Sequence, residues 1–428
     1  MANNLNIKDG NSLAKIVKTT EIGGVHIPHH ITEVSPNSSA YDAFGRLRVS
    51  EVTTQVDAKQ TNDALPFFFD TVTNGTGLST HSVPLASSLL TTAASGDYVI
   101  RQSKQRFNYQ SGKSQQIFMT FANFQAQTNI TKRVGYFSSS TVAPYTASLD
   151  GIFLENDGSD VYIKIYRSGT EIDSIIQTAW NVDPMDGTGP SGIDIDWSQS
   201  QILMISFEWL GVGTAFFSFV IDGQVFLVHK ANHANLTDQV YMSSPNQPLR
   251  YEIRQTAAGS GSLRQICATV GSEGSLNKLG TILSRNTGAT GIDLASTATK
   301  YAIMGIRLQA AKVGTMVDII NMDIFESANK NLLWELWLSP TVSGSFTYTD
   351  VPNDAISFAR GDNTQTVSGG TLLDSGFVAA RTNVSPVIEN AVRLGMSIAG
   401  TLDTFVLSVT PLQANATVYS SISWRSVN

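Results

Sequence analysis

The chain has 428 residues, with 28 Lys+Arg against 35 Asp+Glu, a net charge of −7 and a sequence pI near 5.4. That balance excludes a nucleic-acid binder held by a basic surface, because neutralising phosphates needs clustered Lys and Arg. A single cysteine, Cys267, excludes a disulfide framework or a Cys-based zinc site, and 15 % charged residues with about a fifth Ser and Thr give a surface polar through hydroxyls and amides.

Residues 1 to about 55 read as an extended assembly arm. Gly23-Gly24, Pro28 and Ser35-Pro36-Asn37 punctuate them too often for a long packed element, although Ser12 to Thr20 fits a short helix or strand. No basic region followed by an apolar run opens the chain, and no stretch approaches the roughly 18 apolar residues of a membrane span. The expectation is a soluble protein made in a cytoplasm, without membrane insertion.

After the arm, period-two alternation dominates. In Val161 to Arg167 the aliphatics Val161, Ile163 and Ile165 share one face, and Ser168-Gly169-Thr170 turns the chain back. Ala215 to Ile221 and Gln224 to His229 flank Asp222-Gly223, the dipeptide of a type I′ hairpin turn. Further strands are expected at 201–209, 248–255, 263–270, 301–309, 317–326, 332–338, 345–350, 372–380, 391–399, 404–410 and 417–427. Helical spacing is confined to Ser12 to Lys18 and the Ser87 to Ala94 region. The pattern predicts an all-β protein with an antiparallel β-sandwich or jelly-roll body. Its main sandwich is expected over 56–330, with 331–428 either a second β domain or the completion of the first.

Catalytic and ligand motifs are sparse. Gly112-Lys113-Ser114 lacks the first glycine of a phosphate-binding loop, since position 107 is Phe107, and reads as a turn. His229 and His233 have the i, i+4 spacing of a zinc protease, but Lys230 stands where the general-base Glu belongs and the preceding run is strand. His26, His29 and His30 could pool imidazoles at a symmetry axis. Asp183, Asp186, Asp194 and Asp196 could wrap calcium, although Asx turns explain the same composition. No other cofactor is expected. Glu208 beside Trp209 is the most suggestive carboxylate, but a glycosidase needs a second one opposite it. The enzyme reading is therefore rejected.

Tyr41-Asp42-Ala43-Phe44-Gly45-Arg46-Leu47-Arg48-Val49-Ser50 resembles the DAFGRLRVS signature of virion structural proteins of tailed bacteriophages. Two later blocks resemble the same group: one runs from Phe207-Glu208-Trp209 through Asp222-Gly223 and His229 to Glu252, the other from Leu338-Ser339-Pro340-Thr341 to Val351. The resemblance implies a non-enzymatic subunit of a tail, neck, fibre or capsid surface, with a concanavalin-like sandwich, located in the virion. Its expected partners are itself, as a trimer or higher homo-oligomer, and other virion proteins. Alternate residues of a strand share a face, so Phe44, Arg46 and Arg48 are candidates for docking onto a neighbour, with Phe44 as anchor and the arginines pairing with acidic groups. The same stretch could equally be the first strand of the chain's own sandwich. The alternative function is a receptor- or carbohydrate-binding module reading host surface glycan, with Trp209, His229 and His233 as candidate recognition residues.

Overall fold

Alternating apolar and polar residues make one strand face water-avoiding, and two such sheets bury those faces against each other. The structure, a computed structural model, describes residues 4–8, 14–22, 25–28, 41–43, 45–277, 279–386 and 393–427. Its elements are antiparallel strands, apart from three short 3-10 turns at Val83–Leu85, Gln177–Ala179 and Ala310–Lys312. Among the described residues, no helix is long and apolar enough to cross a membrane.

The first sandwich pairs a seven-stranded sheet with an eight-stranded one. Across the seven-stranded sheet run Thr170–Ile176, Val161–Arg167, Asp150–Asn156, Ile130–Ser138, Leu249–Gln255, Tyr98–Ser103 and Phe69–Asn74. The other sheet is centred on Gln201–Phe207, Gln115–Ala122 and Gly261–Glu273. Ile163, Ile165, Val134 and Tyr251 from one sheet meet Ile117, Met119, Ile205 and Phe217 from the other in a fully buried core. Asp222 and Gly223 both have positive φ, +50° and +74°, and close the expected hairpin with Ile221 opposite Gln224.

On the outer face of the seven-stranded sheet, Glu252 is fully buried among Arg250, Arg254 and Arg133. Burial works to raise its pKa, but the three guanidinium groups together hold it well below the usual carboxylate range.

A second sandwich has its own core, which corrects the boundary expected at 330/331. Thr281–Asn286, Ile292–Leu294 and Met316–Glu326 join Ala416–Val427 in one sheet, while Tyr301–Leu308 lies beside Thr404–Pro411 and Ile356–Arg360 in the other. Trp424, Ile422, Met322 and Ile303 are buried between them. The cores divide near 274–280, a Gly-rich connection. Ser327 to Asn331 is instead a turn between consecutive strands of this second body.

The 391–399 strand is not formed over its described part. Met396 N donates to Lys104 O (2.9 Å), Ile398 N donates to Asp70 Oδ2 (2.7 Å), and Ile398 packs on Tyr98, Ile100 and Tyr145. That segment therefore ties the second sandwich to the first.

Both helix candidates are strands. Ser87–Thr92 lies between Leu78–Ser82 and Gly261–Glu273, and Ala14–Ile22 is the centre of a three-stranded sheet with Asn4–Lys8 and Val25–Pro28. The N-terminal region is thus a small meander, and its expected limit at residue 55 cuts the strand Val52–Lys59, which pairs with Gly261–Glu273.

Candidate functional site

The signature block folds into a tight loop at the end of the first sandwich. Asp42 Oδ1 accepts the Arg46 N–H (2.8 Å), Asp42 O accepts the Gly45 N–H (3.0 Å), and Gly45 sits at φ +73°, where glycine is favoured. A backbone bridge joins Tyr41 to Leu47. This closure corrects the expected strand from Phe44 to Val49: the Asp42 side chain captures the backbone and bends it. Phe44 itself lies outside the described residues.

Arg46 and Arg48 leave this loop toward carboxylates of the chain's own body. Arg46 Nε donates to Asp42 Oδ2 and its Nη2 to Glu208 Oε1, both at 2.7 Å. Arg48 Nη1 donates to Glu273 Oε1 (2.5 Å), Nη2 to Ser206 Oγ (2.8 Å) and Nε to Tyr41 O (2.9 Å). Ser206 alternates with the core residues Ile205 and Phe207, so this clasp lies on the outer face of the eight-stranded sheet.

Glu208 is the strained member. Its side chain is fully buried, and Oε2 has no hydrogen-bond partner among the described residues. Burial first, then the Asp42 carboxyl, push its pKa up to about 8 against the pull of Arg46. A proton retained on Glu208 and facing Asp42 fits both observations. The second carboxyl that a glycosidase reading lacked is therefore present, but both are buried and bonded to one guanidinium, a clasp and not an open cleft.

Trp209, His229 and His233 do not make a surface patch. Trp209 is half-buried, with Nε1 donating to Met242 O (3.1 Å). His229 is buried and accepts the Asn181 N–H at Nδ1 (3.2 Å); burial lowers its pKa to about 4 and keeps it neutral. His233 is buried against the Tyr241 ring at 4.2 Å, with its ring nitrogens 2.8 Å from Gly213 O and 3.2 Å from Asp173 Oδ2.

The acidic residues weighed for calcium cap turns. Asp183 accepts the N–H groups of Met185 and Ser191, Asp186 accepts from Thr188, and Asp196 accepts from Ser198. Asp194 meets Asp186 through a backbone bridge. Among the described residues no group of three or more His, Cys, Asp or Glu is placed to hold a metal ion. His26 lies in Val25–Pro28, while His29 and His30 lie outside the described residues.

The second sandwich presents a different arrangement. Phe325 and Tyr419 are directly opposite each other on neighbouring strands, with ring centroids 5.9 Å apart and planes 38° from parallel. In the next outward row Asp323 pairs with Ser421, and Ser421 with Asn286. Together they line an open hollow of about 200 Å³. Phe325, the penultimate residue of the strand Met316–Glu326, is 40 % exposed.

No protein-family profile and no curated protein matches the chain. Among solved structures, it is similar to the exoplasmic/lumenal domain of VIP36 in a Ca2+- and Man-bound form (10 % identity, 54 % of this chain and 100 % of that one, TM-score 0.33). It is also similar to a legume lectin-like domain from Entamoeba histolytica (8 %, 53 % and 100 %, TM-score 0.32). A third is an endo-beta-1,4-glucuronan lyase from the fungus Trichoderma reesei (10 %, 51 % and 95 %, TM-score 0.34).

Sequence reasoning passed over the Phe325–Tyr419 hollow. Its available signal was a parity violation: in Met322-Asp323-Ile324-Phe325-Glu326 the buried residues are Met322, Ile324 and Glu326, leaving Phe325 on the polar face. A single exposed aromatic is common on a protein surface, and it is the facing Tyr419 ring that makes Phe325 part of a hollow.

Proposed function

We propose that the protein is a non-enzymatic carbohydrate-binding subunit of a phage-type virion, reading host surface glycan with the outer face of its second sandwich. The single observation that carries this reading is the pair of exposed Phe325 and half-buried Tyr419 beside Asp323, Ser421 and Asn286. A pyranose ring offers a C–H face to an aromatic ring and hydroxyls to carboxylate, hydroxyl and amide groups, and this hollow presents the two kinds of group in adjacent rows. The acidic Asp323 favours a neutral sugar. Glycan-array binding by the full chain tests the proposal. Phe325→Ala is expected to weaken retention by about tenfold with an unchanged melting temperature, as befits loss of one exposed stacking ring. Equal binding by the variant would remove this site.

A second reading, a self-assembling virion subunit, draws support from the N-terminal meander. Among the described residues its three strands pair with no strand of either sandwich, so its edges are available to another chain. Deleting residues 1–40 spares the clasp and the strand Val52–Lys59. The expected product keeps the melting temperature of the full chain but has a lower native mass by light scattering. An unchanged mass would set this reading aside.

A further inference from the structure

Between the sandwiches lies a cleft of about 460 Å³, lined by Arg106, Ser244 and Asn246 from the first and by Lys312, Gly314 and Thr315 from the second. Its two cations are placed by unrelated parts of the fold. Arg106 is held from one side, its Nη1 donating to Asn246 O (3.1 Å) and Gln247 Oε1 (3.0 Å). Gln247 then donates from Nε2 to Asp150 Oδ2 (2.6 Å), so the carboxylate behind Arg106 stands one amide away. Arg48, Arg133 and Arg250 each touch a carboxylate directly, whereas Arg106 touches none among the described residues. Burial lowers its pKa, as it does for the paired Arg48 and Arg250.

Lys312, at the end of the turn Ala310–Lys312, donates from Nζ to Asp354 O (2.6 Å), one of three donors an ammonium carries. The Ser244 hydroxyl accepts the Asn246 N–H (3.2 Å), which leaves its proton to donate. Among the described residues no carboxylate lines the cleft. In a chain with seven more acidic than basic residues, two cations facing one cleft run against the overall charge.

We propose that this cleft binds an oxyanion-bearing ligand, a carboxylate, sulfate or phosphate group gripped by Arg106 from one sandwich and Lys312 from the other. A guanidinium offers a planar fork of donors to such a group, and the ammonium adds a point charge on its far side. The ligand would join the two bodies and stabilise their contact. This site is separate from the Phe325–Tyr419 hollow and does not depend on the carbohydrate reading.

Calorimetric titration of the full chain with sulfate, inorganic phosphate and glucuronate, at fixed ionic strength set with chloride, tests the proposal. The expected result is saturable binding of at least one of them, weakened at least about tenfold in Arg106→Gln and in Lys312→Gln, the loss typical of one charge-assisted hydrogen bond. Tighter binding of glucuronate identifies a sugar acid, and tighter binding of sulfate or phosphate identifies a mineral or ester oxyanion. If Arg106→Gln fails to fold because Asn246 and Gln247 lose their support, Lys312→Gln and Arg106→Lys decide, with Arg106→Lys retaining part of the affinity. Non-saturating heats for all three anions, or saturable binding unchanged in Lys312→Gln and the folded Arg106 variants, would overturn it.

Discussion

Arg48→Ala is expected to destabilise the first sandwich by about 3–5 kcal/mol, the cost of removing one partner from a buried ion pair. The Arg48 side chain is 14 % exposed and that of Glu273 7 %. Without the guanidinium, the Glu273 carboxylate keeps Gln116 Nε2 as its side-chain donor, while Ser206 Oγ and Tyr41 O lose the donor that joins them. Chemical denaturation of the full chain measures the loss. The double variant Arg48→Met, Glu273→Leu is expected to recover at least half of it, because a buried pair replaced by apolar groups of similar size leaves no orphaned charge. A single variant within about 1 kcal/mol of the parent, the range of exposed pairs, would show that the clasp is a surface decoration.

The clasp also shows why parts of the structure were hidden from the sequence. Period-two strands with one wet face declare themselves, as in Val161–Arg167 and Ala416–Val427. Tyr98–Ser103 is buried on both faces, so its sequence carries no alternation to read. Asp42 to Arg46 has the letters of a strand with alternating side chains. Its shape is decided by a carboxylate hydrogen-bonding four residues along the chain and by Gly45 entering the left-handed region. Partners were less legible still. Arg46 and Arg48 read as groups seeking acidic residues, but nothing local says that those residues are Glu208 and Glu273 of the same chain. The Phe325–Tyr419 hollow exists only through the register between two strands far apart in sequence, and the boundary near 274–280 only through which strands share a core.

A second consequence of the clasp is an unusual alkaline sensitivity. Glu208 has a folded-state pKa of about 8 against an ordinary value of 4.5, so between those values the folded chain holds a proton that the unfolded chain has released. Its contribution to stability is complete below about pH 4.5 and is lost as pH rises through about 8. Glu252 behaves oppositely, since its arginine partners hold its pKa low: its contribution is present above the ordinary carboxylate range and lost on acidification. Glu208→Gln keeps an acceptor for Arg46 and removes the titration. Relative to this variant, the parent is expected to lose on the order of 2–4 kcal/mol between pH 5 and pH 9, read from urea midpoints at both values. Parallel pH profiles would show that Glu208 is ionised throughout and that its unpartnered oxygen has another explanation. Asp42→Asn separates the two causes: burial remains while the neighbouring carboxylate is gone, so the alkaline loss should persist but be smaller and be complete at a lower pH, because an ionised Glu208 no longer faces a like charge.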